Sequence, residues 1–65
     1  MENEYDVFRL SESGDKVLVE TVIGLDKTKA RLEILSSFKP GKYLVYDALH
    51  EKFIEPFKML VRNGR

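Results

Sequence analysis

The sequence predicts a small α+β domain of element order ββαββ, and three observations carry that prediction. Two pairs of short segments, rich in β-branched and aromatic residues, stand at either end of residues 5–55, and each pair is joined by a polar turn. A single amphipathic stretch with helical spacing lies between them. The chain has 65 residues, which is the length of one domain and not of two.

The first pair is Tyr5 to Leu10 and Val17 to Val22, flanking Ser11-Glu12-Ser13-Gly14-Asp15-Lys16, and it reads as a β-hairpin. Gly24 breaks the second strand, and Asp26 is placed to act as N-cap or first-turn acid of a helix running to about Ser37. At about 100° per residue Leu25, Thr28, Leu32 and Leu35 share one side and are expected to cover the sheet. Lys39-Pro40-Gly41 ends the helix. Lys42 to Asp47 and Lys52 to Glu55 then form a second hairpin around Ala48-Leu49-His50-Glu51.

Two hairpins around one helix are expected to join in a four-stranded sheet with the helix packed diagonally on one face. The simplest arrangement sets the first and last strands side by side in the middle. With its aromatic third strand (Tyr43, Tyr46) and the short turn before the last strand, the order over residues 5–55 resembles the β-grasp architecture of small immunoglobulin-binding domains. It is also similar to small bacterial proteins with a ββαββ pattern. The resemblance involves no diagnostic motif, so it implies a shape and brings no site residue or activity with it.

Residues 1–55 are therefore taken as the domain and residues 56–65 as a C-terminal tail. In the tail, Pro56 at a first-turn position, Phe57, Leu60 and Val61 at helical spacing, and Asn63-Gly64 as a stop favour a short helix. Alternation of Phe57, Met59 and Val61 also permits a fifth strand.

Hydrophobic residues make up 43% and charged residues 34%, a balance that folds and does not favour disorder. Cysteine is absent, which removes disulfides and thiolate metal sites as sources of stability. No apolar run reaches the length of about 20 residues that spans a bilayer, and the acidic start is unlike a signal peptide, so a cytoplasmic protein is expected with no membrane partner. The net charge is zero, but residues 1–26 carry −5 and residues 27–65 carry +5. Pairing of one half with the other within the fold is the expected use of that polarity.

No residue pattern points to catalysis, and the chain is expected not to be an enzyme. His50 is the only histidine and falls in a turn with Asp47 and Glu51, too small a donor set for a closed metal site. Ser11, Ser13, Ser36 and Ser37 lie in turns or at the helix end, none in a nucleophile elbow. The four glycines are too far apart to cradle a phosphate. No cofactor is expected.

What the sequence does show is surplus apolar surface. Ala30, Ile34 and Phe38 recur at i, i+4, i+8, well round from the sheet-facing stripe. Together with Phe57 and Leu60 of the tail they form a candidate interaction surface for a protein partner or for a second copy in a weak homodimer. Tyr5 and Val7 alternate with Phe8 and Leu10, and Tyr43 and Val45 with Leu44 and Tyr46, so neither sheet face is polar. Something is expected to cover the face opposite the helix: the tail, a second copy or a ligand. A candidate basic patch, Lys27, Arg31, Lys39, Lys42 and Lys58, offers the one route to weak nucleic-acid binding. A sequence pI near 6.6 and the absence of a glycine-aromatic RNA-binding segment make nucleic acid an unfavoured partner.

Overall fold

The computed structural model describes residues 2–56 and has the element order ββαββ: β1 Glu4–Leu10, β2 Lys16–Ile23, α1 Leu25–Phe38, β3 Tyr43–Asp47 and β4 Lys52–Ile54. The strands form one antiparallel sheet, and α1 packs on one face of it. The tail residues Phe57, Leu60 and Lys58, with the helix-or-strand alternative for that segment, lie outside the described residues.

The strand order is β2-β1-β3-β4, which corrects the expectation that the first and last strands meet in the middle. β3 takes the place beside β1, and β4 lies at the edge. Side-chain content explains the order. Tyr-Leu-Val-Tyr in β3 is apolar on both faces and gains from a central position, whereas β4 is three residues long and begins with a lysine. Because β2 and β3 each run antiparallel to β1, they are parallel to one another, and α1 supplies the crossover that such a pair requires.

The first hairpin turns through Ser11–Asp15. Gly14 N donates to Ser11 O at 2.9 Å, and Gly14 adopts φ 93°, a conformation that a side chain would disfavour. Ser11 Oγ accepts from Asp15 N at 3.0 Å and fixes the same turn. Within the hairpin Val7 pairs with Glu20 but Phe8 pairs with Leu18, so Val19 is an extra residue and forms a β-bulge in β2. The bulge resets the alternation, which is why Val17, Leu18 and Val19 are all exposed.

The helix begins at Leu25 with Gly24 at the N-cap position, and Asp26 takes the first-turn place, one of the two expected for it. Gly24 has φ 98° and donates to Asn3 O at 2.8 Å, and its carbonyl accepts from both Thr28 N and Thr28 Oγ1, at 3.0 and 2.7 Å. The buried Thr28 hydroxyl is thereby satisfied by its own helix. At the other end Tyr43 Oη donates to Lys39 O at 2.5 Å, closing the last turn from the neighbouring strand.

The core is compact. Val7 and Val45 face each other across the β1–β3 ladder, Leu32 lies over them, and Tyr5 and Tyr43 close the ends, with Val22, Leu35 and Ile54 packed around the rim. Leu25 departs from the expected sheet-facing stripe: it stands at the first turn, 43% exposed, while Thr28 and Leu32 are fully covered. The opposite charges of the two halves meet in the bidentate pair of Arg31 and Glu20, at 2.7 and 3.1 Å, which ties α1 to β2.

Since Leu32 fills the space above Val7 and Val45, Leu32→Ala is expected to destabilise the fold by about 2 to 5 kcal/mol. The adjacent, exposed Glu33→Ala is expected to change stability by less than about 0.5 kcal/mol. Urea titrations followed by far-UV circular dichroism give both values, and equal effects would rule out this helix phase. Gly24→Ala forces a side chain into φ 98° and is expected to cost about 1 to 2 kcal/mol in the same titration.

Candidate functional site

Three places gather side chains that the core does not consume. The first is the sheet face opposite α1. Strand alternation sends Phe8 and Leu10 of β1, Leu18 of β2, Leu44 and Tyr46 of β3 and Phe53 of β4 to that side. The rings form a cluster. Phe53 meets Tyr46 edge to face at 5.0 Å between centroids and Phe8 at 5.9 Å, and Lys16 Nζ lies 5.4 Å from the Phe53 centroid. Leu18 is 55% exposed and Phe53 47%. The acidic end of the same face holds Glu4 and Asp6, the latter accepting from Thr21 Oγ1 at 2.8 Å.

The second is a groove of about 1040 Å³ where the C-terminal end of α1 overhangs the first hairpin. Val17, Val19, Leu35, Phe38 and Tyr43 make it apolar, and Arg9, Lys39, Lys42 and Glu12 surround it. The bulge at Val19 is what places two β2 valines on this side of the sheet.

The third is a polar knot at the opposite end, built on Asp47. Its Oδ1 accepts from Asn3 Nδ2 at 2.6 Å and from the backbone N–H groups of Leu49 and His50 at 3.1 Å each, and its Oδ2 lies 2.8 Å from His50 Nδ1. The carboxyl is held down to about 2, foremost by the Asn3 amide, with the hydrogen bonds and charge of His50 adding to it against the opposing effect of burial. This knot organises the turn Ala48–Glu51, where Glu51 adopts φ 53°, and joins it to the residue that also receives the helix N-terminus. It is a structural joint. His50 is a partner of Asp47 as well as an exposed turn residue, and among the described residues no three histidine, aspartate or glutamate side chains converge as metal ligands.

The residues singled out from the sequence are dispersed. Ala30 and Ile34 are exposed, Ala30 beside β2, and Phe38, 86% exposed, borders the groove at the helix end. The three share one exposed side of α1 with different neighbours along it. Of the candidate basic patch, Lys27 and Arg31 stand in the first half of α1 and Lys39 follows its last turn, so Lys27 and Lys39 are separated by about 18 Å along the axis. Arg31 is engaged by Glu20, each raising the preference of the other for its charged form. The described cations make two separate groups. Leu18, Phe53 and Lys16, by contrast, were not indicated by sequence periodicity and join the face that Phe8, Leu44 and Tyr46 already suggested.

No helix among the described residues is long and apolar enough to cross a membrane. Compared with models of protein families, with curated proteins and with solved structures, the chain matches none.

The lowered Asp47 carboxyl gives a pH signature. Its folded value lies below the ordinary 3.8, so its contribution to stability is complete above about pH 4 and is lost as pH falls from there through about 2. The urea midpoint of the wild type is expected to drop across that window. Asp47→Asn is expected to lower the midpoint at neutral pH and to flatten the drop; parallel curves for the two proteins would refute the assignment.

Proposed function

We propose that this chain is a small non-catalytic protein-interaction domain of the cytoplasm whose docking surface is the open sheet face. The observation that carries the reading is the Phe8–Phe53–Tyr46 cluster, half-buried at Phe8 and Tyr46 and exposed at Phe53, with the exposed Leu18 beside it. An antiparallel sheet with one solvated face is ordinarily polar on that face. Here the middle of the face is aromatic and aliphatic, with the Lys16 ammonium over the Phe53 ring and Glu4 and Asp6 at one end, and apolar surface of this kind marks an interaction site. The aromatic residues are held by one another, so little side-chain freedom is lost when a partner covers them.

The second reading is weak nucleic-acid binding through the basic second half of the chain. It draws support from the aromatic sheet surface with Lys16 above Phe53. Against it stand Glu4 and Asp6 on the same face and the division of the cations into two groups, one of them paired with Glu20. Salt separates the readings, because phosphate-driven binding weakens steeply with ionic strength and apolar docking does not.

The test is a comparison of variants in affinity purification from native lysate. Leu18→Asp with Phe53→Ser is expected to lose the species that the wild type retains, in low and in high salt, while Ile34→Asp on the outer helix surface keeps them. Loss with Ile34→Asp and retention with the sheet-face pair would reject the open face as the docking surface.

A further inference from the structure

Toward the end of the sheet farthest from Asp47, the helix-facing side of β1 breaks its own pattern. Tyr5, Val7 and Arg9 follow one another on that side; the first two are core residues and the third is an arginine. Arg9 lies between Val17 of β2 and Tyr43 of β3 in the ladder, half-buried on the floor of the groove that α1 overhangs. The close charge pairs among the described residues join Arg31 to Glu20 and His50 to Asp47, so Arg9 has no carboxylate partner among them. An apolar residue at this position would extend the core. A guanidinium is placed there to meet an anion.

We infer that the groove between the C-terminal end of α1 and the first hairpin is a binding site for a free fatty acid, with the carboxylate on Arg9 and the alkyl chain along Val17, Val19 and Phe38. The division of charge and hydrocarbon across the groove selects that chemistry. β2 contributes Val17 and Val19 on one side, and α1 contributes Leu35 and Phe38 above them. The cations stand on the other side: Arg9 on β1, Lys42 next to Tyr43, and Lys39, whose carbonyl receives the Tyr43 hydroxyl. Glu12 is the one acid among the described lining residues, so three cations face one carboxylate and the groove attracts an anion. Its volume of about 1040 Å³ is that of a small-ligand site, for which about 300 to 1,000 Å³ is usual.

The valine side of the groove offers no regular row of backbone groups, because the bulge at Val19 interrupts β2. A peptide laid there would bury N–H and C=O groups without partners, whereas an alkyl chain has none to satisfy. The chain's own C-terminal segment is mismatched in charge: residues 57–65 contain Lys58, Arg62 and Arg65 and no acid. Phe38 is 86% exposed at the mouth of the groove, and an alkyl chain lying against its ring removes apolar surface of both from water. The groove opens on the helix side of the sheet, so a ligand there leaves the Phe8–Phe53–Tyr46 face free for a protein partner.

Nuclear magnetic resonance titration of the isotope-labelled 65-residue chain with octanoate and decanoate, each kept below its micelle-forming concentration at neutral pH, tests the inference. Saturable shifts are expected at the Arg9 side-chain N–H and at the amides of Val17, Val19 and Phe38. Decanoate has two more methylenes than octanoate and, partly covered in an open groove, is expected to bind about four- to tenfold more tightly. Octyltrimethylammonium, with a like chain and a cationic head, is expected not to bind. Arg9→Gln, shown to be folded by circular dichroism, is expected to weaken decanoate about tenfold. The exposed pair Lys39→Gln with Lys42→Gln, which leaves the core untouched, is expected to weaken it about threefold. Phe38→Ser, also outside the core, is expected to remove most of the advantage of decanoate over octanoate. No saturable shifts at these residues, equal binding of octyltrimethylammonium, or decanoate affinity unchanged in the arginine and lysine variants would overturn the inference. Shifts confined to Phe8, Tyr46 and Phe53 would overturn it by moving the alkyl chain to the open face. Nuclear Overhauser effects from residues 57–65 to Val17 or Phe38 in the free protein would overturn it by making the C-terminal segment the occupant. Binding to vesicles of anionic phospholipid without binding of dissolved decanoate would overturn it in favour of a membrane surface.

Discussion

A fourteen-residue helix about 10 Å across covers two strands of a sheet that is four strands wide, and the distribution of every other side chain follows from that limit. Its backbone lies over β1 and β2, and Leu32 reaches across to the central pair β1 and β3. Val7 and Val45 disappear completely under Leu32, and no other pair of sheet residues is buried so fully. The hairpin end of β2 and the short β4 lie beyond the helix, and α1 does not reach the reverse face. Stability is therefore concentrated in a few large contacts, which a chain without disulfides must make efficiently. The polar connections serve the same pair of strands. Tyr43 holds the end of the helix, Gly24 and Asn3 hold its start, and Asp47 binds Asn3 to the turn that follows β3.

That economy separates the two ends of the molecule. At the Asp47 end, backbone and side-chain hydrogen bonds from four segments converge, and the helix approaches the sheet closely. At the other end the helix overhangs a groove, and the hairpin beyond it leaves its valines uncovered. The rigid end has polar groups that are spent on one another, so it offers a ligand little. The apolar surface that remains lies in the groove and on the open face, and the open face is the one where aromatic rings have already been ordered by their neighbours.

Much of this was legible in the sequence. Alternation and turn composition located all four strands and the helix to within about two residues, because short half-buried elements leave a clear periodic trace. The apolar reverse face was visible in Phe8, Leu10, Leu44 and Tyr46. The order of the strands was not legible, since hairpin patterns fix neighbours within each hairpin but not which strand of one meets which strand of the other; that choice depends on how much apolar surface β3 and β4 each have to bury. Leu25 was misplaced because periodicity gives an angle around the helix and not the distance from the sheet at its first turn. The strip of Ala30, Ile34 and Phe38 has the same angular alignment but meets different surroundings along the helix axis, Ala30 beside β2 and Phe38 at the groove. Leu18 and Phe53 escaped notice because Val17-Leu18-Val19 reads as an unbroken apolar run, and only the pairing with β1 reveals the bulge that redirects it.

The bulge has a further consequence for how this protein behaves at high concentration. β2 is an edge strand of eight residues with three consecutive exposed apolar side chains, the kind of segment that templates edge-to-edge sheet growth and ends in fibres. The extra residue at Val19 interrupts the outward row of N–H and C=O groups and sharpens the local twist, so an incoming strand cannot match it over more than a few residues. Open-ended stacking is thereby frustrated along β2.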